Sequence, residues 1–152
     1  MIGILSSTFV VSNLAFQKPY NPDKVTQDMS LEPIAPLIVT TVYGDFQDIA
    51  LGLSFALRLH KQELAEPAPR SNIQFTFLAR RQNYEQVWQT FATLNQPLPF
   101  PLNLWVISPG LKRVGYRNQL SLKDTTGLQH PCQIDPNHYH RLGIPYQLYR
   151  CR

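Results

Sequence analysis

The segment that decides the fold is Leu37-Ile38-Val39-Thr40-Thr41-Val42-Tyr43, which is followed directly by Gly44 and Asp45. Its β-branched residues and its length predict a β-strand. Gly44 ends the strand, and Asp45 stands where the N-cap of a helix is expected, with Asp48 in the first turn. A cation site formed by the two carboxylates is the alternative, but capping accounts for both residues. The sequence therefore predicts a strand followed by a helix that ends near Gln62.

The predicted helix carries apolar residues on two sides. The first stripe consists of Ile49, Leu53, Ala56 and Leu57, and the second stripe, on nearly the opposite side, consists of Leu51, Phe55 and Leu59. A helix that is apolar on two faces is usually packed between two layers, either within the fold or against another subunit. We assign the first stripe to the core and predict that Leu51, Phe55 and Leu59 bind a partner.

Alternation and turn signals divide the rest of the chain. Ile73–Ala79 alternates as a half-buried strand does, and prolines and glycines separate the elements that follow. The predicted order is a helix over 83–95, strands over 102–107 and about 113–123, an irregular segment over 124–142, and a closing strand over 144–149 in which Pro145 suits a sheet edge. These elements predict an α+β fold with a mixed four- to six-stranded sheet and two helices on one face.

Residues 1–36 are predicted to form an extended N-terminal arm, and residues 37–152 a single α+β domain. Four prolines between positions 18 and 36 exclude a helix or a central strand there. Such an arm lies across a surface, because it cannot satisfy its backbone groups in a core of its own. It either adds a strand to a neighbouring subunit or folds back over its own sheet.

The composition fits one folded domain. Of the 152 residues 43% are apolar and only 16% charged, against roughly 25% charged in an average soluble domain. No apolar run approaches the roughly 20 residues that span a bilayer, and residues 1–11 lack the basic start of a signal peptide. Cys132 and Cys151 can pair only if their Cα atoms lie within about 7 Å, and we interpret them as free thiols. We expect a soluble protein in the cytoplasm or in a particle assembled inside a cell.

Charge is distributed unevenly along the chain. Seven acidic and four basic residues precede position 67, whereas ten basic and three acidic residues follow it, for a net charge of +4. Unless the fold mixes the two halves, this asymmetry indicates a polyanionic partner or copies that meet through opposite charges. Lys112, Arg113, Arg117 and Lys123 are predicted to lie on one hairpin, where they could follow a phosphate backbone. A solubilising sheet face is the simpler explanation.

A cluster of chemically active residues lies in the segment 130–140. It contains His130, Cys132, His138 and His140, and imidazole and thiolate groups are common zinc ligands. Their spacing matches no standard ligand pattern, so we predict no bound metal and interpret the segment as an exposed loop that contacts a partner, with a zinc site as the alternative. No nucleophile elbow, Walker loop or dinucleotide-binding glycine pattern occurs in the sequence. We therefore predict no cofactor and no catalytic activity, with a metal-dependent enzyme at this loop as the third choice.

The function predicted from these features is that of a non-enzymatic structural subunit of a larger particle, such as a phage tail or neck component. The arm, the two-faced helix and the charge asymmetry each favour contacts with protein subunits of the same or another kind. A nucleic-acid-binding module that uses the basic hairpin at 112–123 is the alternative. No membrane partner is expected.

Overall fold

The computed structural model describes residues 26–27, 29, 37–65, 73–80, 83–93, 97–109, 111–141 and 145–152. The elements follow one another as β1 (Leu37–Tyr43), α1 (Phe46–Ala65), β2 (Ile73–Ala79), α2 (Tyr84–Phe91), β3 (Leu102–Ile107), a 3-10 turn (Arg113–Gly115), β4 (Gln119–Lys123), β5 (Gln129–Arg141) and β6 (Pro145–Cys151). The bounds of β1, β2 and β3 agree with the prediction. The proposed arm, 1–36, lies outside the described residues except for positions 26, 27 and 29.

The strands form one mixed sheet in the order β2-β1-β3-β6-β5-β4. β1 is parallel to both β2 and β3, whereas β6, β5 and β4 continue the sheet with antiparallel pairings on the other side of β3. The predicted α+β class and the mixed sheet are therefore confirmed. Within the described ranges, no helix combines the length and the apolar character that crossing a bilayer requires.

The two helices pack on opposite faces of the sheet, and their predicted placement on one face is wrong. α1 connects β1 to the neighbouring β2, and α2 connects β2 back past β1 to β3. The two connections run in opposite directions along the sheet, and a crossover between parallel strands is almost always right-handed. The same handedness applied in opposite directions places α1 and α2 on opposite sides.

β3 separates the two hydrophobic cores that result. All six of its residues are buried. Leu104 and Val106 belong to the core beneath α2, together with Trp88. Trp105 and Ile107 point the other way, into the core beneath α1. Because successive side chains of a strand point to opposite faces, β3 supplies both cores at once.

Both helices begin at side-chain caps. Asp45 Oδ1 accepts a hydrogen bond from Asp48 N at 3.1 Å, and Asp48 Oδ2 accepts one from Gly44 N at 2.8 Å. At the start of α2, Asn83 Oδ1 accepts a hydrogen bond from Gln86 N at 3.2 Å. The cap bonds satisfy backbone N–H groups that have no partner within the first turn. The predicted N-cap role of Asp45 is confirmed.

The segment predicted to be irregular after residue 124 contains β5, which at 13 residues is the longest of the described strands. Pro131 conceals it in the sequence, because proline is rare inside sheets. The Pro131 carbonyl accepts a hydrogen bond from Arg152 N at 3.2 Å, and Arg152 directly follows the last residue of β6. The N–H group that proline lacks would point to the same side, so its absence interrupts the β5–β6 ladder only at the end of β6. β6 lies between β3 and β5 and is not the predicted edge strand.

Cys132 on β5 and Cys151 on β6 are register partners and form a disulfide. Both are buried in the core beneath α2, and their Cα atoms are 3.9 Å apart. The interpretation as free thiols is therefore wrong. The pairing depends on the register of two strands, which the sequence spacing of the cysteines does not give.

Reduction of this disulfide should destabilise the fold. The bond joins residues with a sequence separation of 19, and closing a loop of that size contributes about 3 kcal/mol, mainly through the unfolded state. We expect the urea midpoint of the wild type to fall when a reductant is added. The matched variant Cys132→Ser/Cys151→Ser should have a low midpoint that does not respond to reductant. A wild-type midpoint that is unchanged after both thiols have been titrated would contradict the prediction.

The β4–β5 hairpin is held by Asp124. Its Oδ1 accepts hydrogen bonds from Thr126 Oγ1 at 2.6 Å and from Thr126 N and Leu128 N at 2.9 Å, and its Oδ2 lies 3.0 Å from His130 Nε2. Gly127 has a φ of 89°, which favours glycine. The hydrogen bonds from Thr126 and then from His130 lower the pKa of Asp124 to about 2.

Because folding lowers the pKa of Asp124, its charge stabilises the hairpin above about pH 4, and the stabilisation is lost as the pH falls towards 2. Asp124→Asn keeps an oxygen acceptor for Thr126 N but cannot ionise. We expect the variant to melt several degrees below the wild type at neutral pH, and the difference to shrink between about pH 4 and pH 2. Thermal denaturation followed by circular dichroism measures this difference. A gap that stays constant over this range would show that the charge does not contribute.

Candidate functional site

The inner face of α1 is the stripe that was predicted to bind a partner. Phe55 and Leu59 are only 1% and 2% exposed and pack in one cluster with Trp105 and Tyr146. Leu51 is partly buried against the same cluster. The prediction that Leu51, Phe55 and Leu59 form a partner-binding surface is therefore contradicted by their burial. They hold α1 onto its own sheet.

One residue of the predicted arm, Met29, packs on this side of the protein within the same chain. Met29 is fully buried in the cluster that contains Phe55 and Leu59, and Thr26 is buried as well. This is the arrangement expected of an arm that folds back over its own sheet. The reach to a neighbouring subunit was predicted for residues 1–36. Of these, residues 1–25, 28 and 30–36 lie outside the described residues.

The outer face of α1 carries exposed apolar residues. Leu53 and Leu57, assigned to the core from the sequence, are 55% and 57% exposed, and Phe46 and Leu64 are 80% and 74% exposed. The glycine at position 52, inside the helix, is a sequence signal that could have identified which face of α1 packs on the sheet. It is buried, and a glycine inside a helix, which costs about 1 kcal/mol relative to alanine, often has a packing reason.

The exposed residues of the outer face follow a regular spacing. They recur at alternating intervals of four and three residues, and every one of them is exposed: Phe46, Ala50, Leu53, Leu57, His60 and Leu64. The mean interval is about 3.6 residues, the repeat of an α-helix, so the six side chains form one stripe along α1. Alternating steps of three and four residues are also the steps of helices that pack lengthwise against each other. These six residues are named the outer seam below.

A cavity of about 410 Å³ opens between β5 and β6. Its lining consists of Pro131, Gln133, Ile134, Asp135, Pro136, Asn137, Arg150 and Arg152. Gln133 and Arg150 are register partners that neighbour the disulfide along each strand, so they point to the opposite face of the sheet. The cavity therefore lies on the same side of the sheet as α1.

A bulge in β5 shapes this cavity, since the register with β6 shifts between Ile134 and Tyr139. Asp135 anchors the bulge. Its Oδ2 lies 2.9 Å from Arg150 Nε and 2.8 Å from Arg150 Nη2, and its backbone oxygen accepts a hydrogen bond from Gln147 Nε2 at 2.7 Å. The carboxylate in the cavity is thus paired with a guanidinium group and holds the strand in shape.

Of the four residues weighed as zinc ligands, the structure describes the side chains of His130 and Cys132, and each of the two has another partner. His130 is paired with the hairpin carboxylate, and its ring stacks on Phe100 with centroids 3.6 Å apart. Cys132 is in the disulfide and offers no thiolate. The side chains of His138 and His140 lie outside the described residues. Among the side chains that the structure describes, no group of three His, Cys, Asp or Glu residues is placed to hold a metal ion.

The residues proposed to bind nucleic acid are Lys112, Arg113, Arg117 and Lys123. All four are exposed, but they do not form one row on a hairpin, because Arg113 begins a 3-10 turn and only Lys123 lies on β4. Arg117 pairs with Glu85 of α2, and Arg113 Nη2 donates a hydrogen bond to Pro136 O at 3.1 Å. Two of the four cations are therefore engaged within the chain.

β2 forms one edge of the sheet in the described part of the chain. Its sequence, Ile73–Ala79, contains no charged residue and no proline. Natural proteins usually protect an edge strand with one of these, because its free backbone groups can pair with another strand. The edge of β2 is thus a second surface that suits a protein partner.

No family model, curated protein or solved structure matches this chain. Its function is therefore inferred from its own residues. Four of the six large apolar side chains that are exposed in the described part of the chain lie in the outer seam.

The dispersed basic residues give a direct test of nucleic-acid binding. Because Arg117 is paired with Glu85, we expect only non-specific affinity for oligonucleotides, with dissociation constants of about 10⁻⁴ to 10⁻⁶ M at physiological salt. Arg113→Ala/Arg117→Ala should change this affinity little in fluorescence anisotropy at two salt concentrations. Tight binding that the double variant loses, together with a flatter salt dependence, would establish the nucleic-acid alternative.

Proposed function

We propose that this chain is a non-enzymatic assembly subunit that binds protein partners through the outer seam of α1. The observation that carries the proposal is the exposure of four large apolar side chains in one row. From Phe46 to Leu64 the row is about 27 Å long, at 1.5 Å per residue. Contiguous exposed apolar surface is uncommon on a lone soluble protein and typically marks an interaction site.

The outer seam does not serve the fold of the single chain. Phe55 and Leu59 already bury the inner face of α1, and burial of one large apolar side chain contributes about 1.5–3 kcal/mol. Leu53 and Leu57, which are more than half exposed, forgo most of that contribution. Burial against a partner would recover it, which supports an interface on this face.

Two titratable groups of β5, one of them in the cavity, have structural partners. Asp135 is bound by Arg150, and His130 is bound by Asp124. A general base has to reach the proton that it removes from a substrate, whereas Asp135 faces a side chain of the neighbouring strand β6 and His130 faces one of the β4–β5 turn. Their arrangement supports a framework role for β5.

The disulfide extends the proposal to the cellular setting. Disulfides persist in oxidising environments and are rare in the reducing cytosol. The pairing of Cys132 with Cys151 therefore favours a subunit that works outside the reducing cytoplasm, in place of the cytoplasmic setting expected from the sequence. A multi-subunit particle is the wider assembly that we propose for it.

Substitution of the outer seam tests the proposal. We expect the wild type to associate at concentrations on the order of 100 µM, where weak interfaces are populated. Leu53→Glu/Leu57→Glu should abolish this association, because it places charge in the contact. Both positions are exposed, so the melting temperature should change little. Sedimentation equilibrium measures the mass, and differential scanning calorimetry measures the melting temperature.

The matched control is Gln86→Glu/Gln89→Glu, which adds the same charge on the exposed side of α2. It should associate like the wild type. Association that persists in Leu53→Glu/Leu57→Glu would overturn the proposal. The proposal would also be overturned if the wild type stays monomeric and the seam substitutions do not raise its solubility limit. A monomer that becomes more soluble with the seam substitutions would support an interface for a different protein.

A further inference from the structure

We infer that the partner of the outer seam is a second copy of this chain, with the two α1 helices antiparallel and Leu53 of each against Leu57 of the other. This inference rests on the proposed function and specifies its partner. Three features of α1 carry it: the spacing of the seam, the charges along the helix and the size of the exposed surface.

The spacing of the seam is symmetric about residue 55. Read from either end, its intervals are four, three, four, three and four residues. A two-fold interface requires a surface that is complementary to itself. Antiparallel pairing about residue 55 provides it, and the facing pairs are Phe46 with Leu64, Ala50 with His60, and Leu53 with Leu57. In this arrangement the smallest member of the seam faces the imidazole ring.

Charge separates the antiparallel from the parallel arrangement. α1 is preceded by Asp45 and has Asp48 in its first turn, whereas its second half carries Arg58, Lys61 and Glu63 and so has a net charge of +1. A parallel pair places acidic residues beside acidic ones and basic beside basic ones. An antiparallel pair places the acidic start of each helix beside the half of the other helix that has a net positive charge, and it also opposes the two helix dipoles favourably.

The exposed surface predicts a weak, closed dimer. Four large side chains that are already partly covered by their own helix bury less than the roughly 800 Å² per partner of a standard interface. We therefore expect dissociation in the micromolar range or above. Two-fold pairing uses the seam of both copies completely, so the assembly through this face stops at two chains.

Cysteine cross-linking of the full chain tests the arrangement. Leu53→Cys chains are mixed with Leu57→Cys chains, oxidised with diamide at a concentration at which the wild type associates, and analysed by non-reducing gel and mass spectrometry. We expect the mixture to form the mixed dimer at least about tenfold faster than either variant alone, because only the mixed pair is held at high effective concentration. Leu53→Cys/Leu57→Cys should stop at the dimer.

Two controls define the background rate. The wild type shows that the buried Cys132–Cys151 pair does not cross-link chains, and Gln86→Cys on α2 gives the rate of random collision. Leu53→Cys that cross-links alone as fast as the mixture would overturn the inference in favour of a parallel pair. A ladder of products from the double variant would overturn it in favour of an open chain.

The same data separate failure of the inference from failure of the proposed function. If no seam cysteine cross-links faster than Gln86→Cys, but association is still lost in Leu53→Glu/Leu57→Glu, the seam binds in another arrangement and only the inference fails. If association is insensitive to the seam substitutions, the proposed function fails as well. A wild-type monomer that the seam substitutions make more soluble refutes self-pairing alone.

Ionic strength gives an independent readout. Opposite charges across the antiparallel pair attract each other, and salt screens this attraction once the screening length falls below about 10 Å. The affinity of the wild-type dimer should therefore fall as salt is raised over that range. Like charges across a parallel pair predict the reverse. An affinity that increases steadily with salt in sedimentation equilibrium would count against the antiparallel arrangement.

Discussion

The burial of β3 on both faces is the constraint on which the rest of the structure depends. Each of its residues is buried, and its side chains alternate between two separate cores. A strand buried on both faces needs a layer on each side of the sheet. Leu104 and Trp105 are adjacent and fully buried in different cores, so truncating either to alanine removes about 2–5 kcal/mol from a typical total of 5–15 kcal/mol. Neither helix can be lost without exposing one side of β3.

Local signals predicted the parts of this fold that local interactions determine. Gly44 and Asp45 mark the end of β1 and the start of α1, and alternation marks β2, because caps and periodicity depend on residues a few positions apart. The side of the sheet on which each helix lies depends on strand order, which is set by contacts between distant segments. No local signal in the sequence contradicts the prediction that both helices share one face. The correct placement follows only from the strand order, because the β1–β2 and β2–β3 connections run in opposite directions along the sheet.

The sequence predicted that α1 has two apolar stripes, but the stripe that we expected at the surface is the buried one. Periodicity identified two apolar stripes on α1, but it measures the angle between stripes and not which one faces the sheet. Phe55 and Leu59 proved to be interior, and Leu53 and Leu57 exterior. A similar ambiguity affected β5, whose inward positions include His130, a residue type that suits a metal site as well as a strand. Its ion pair and ring contact become visible only once β5 is aligned with its neighbours.

Under the proposed function, the position of the outer seam would make folding and assembly separable. α1 lies on its sheet through Phe55 and Leu59, and the seam points away from that contact, so a second helix would add a layer without rearranging either core. Substitutions at exposed positions of this kind usually change stability by less than about 0.5 kcal/mol, whereas the same change within a core costs several times more. If the seam binds a partner as proposed, its residues can change with that partner while the sheet, the caps and the disulfide keep the chain folded. In the assembly that we propose, one helix with two apolar faces would serve the core and the interface at the same time.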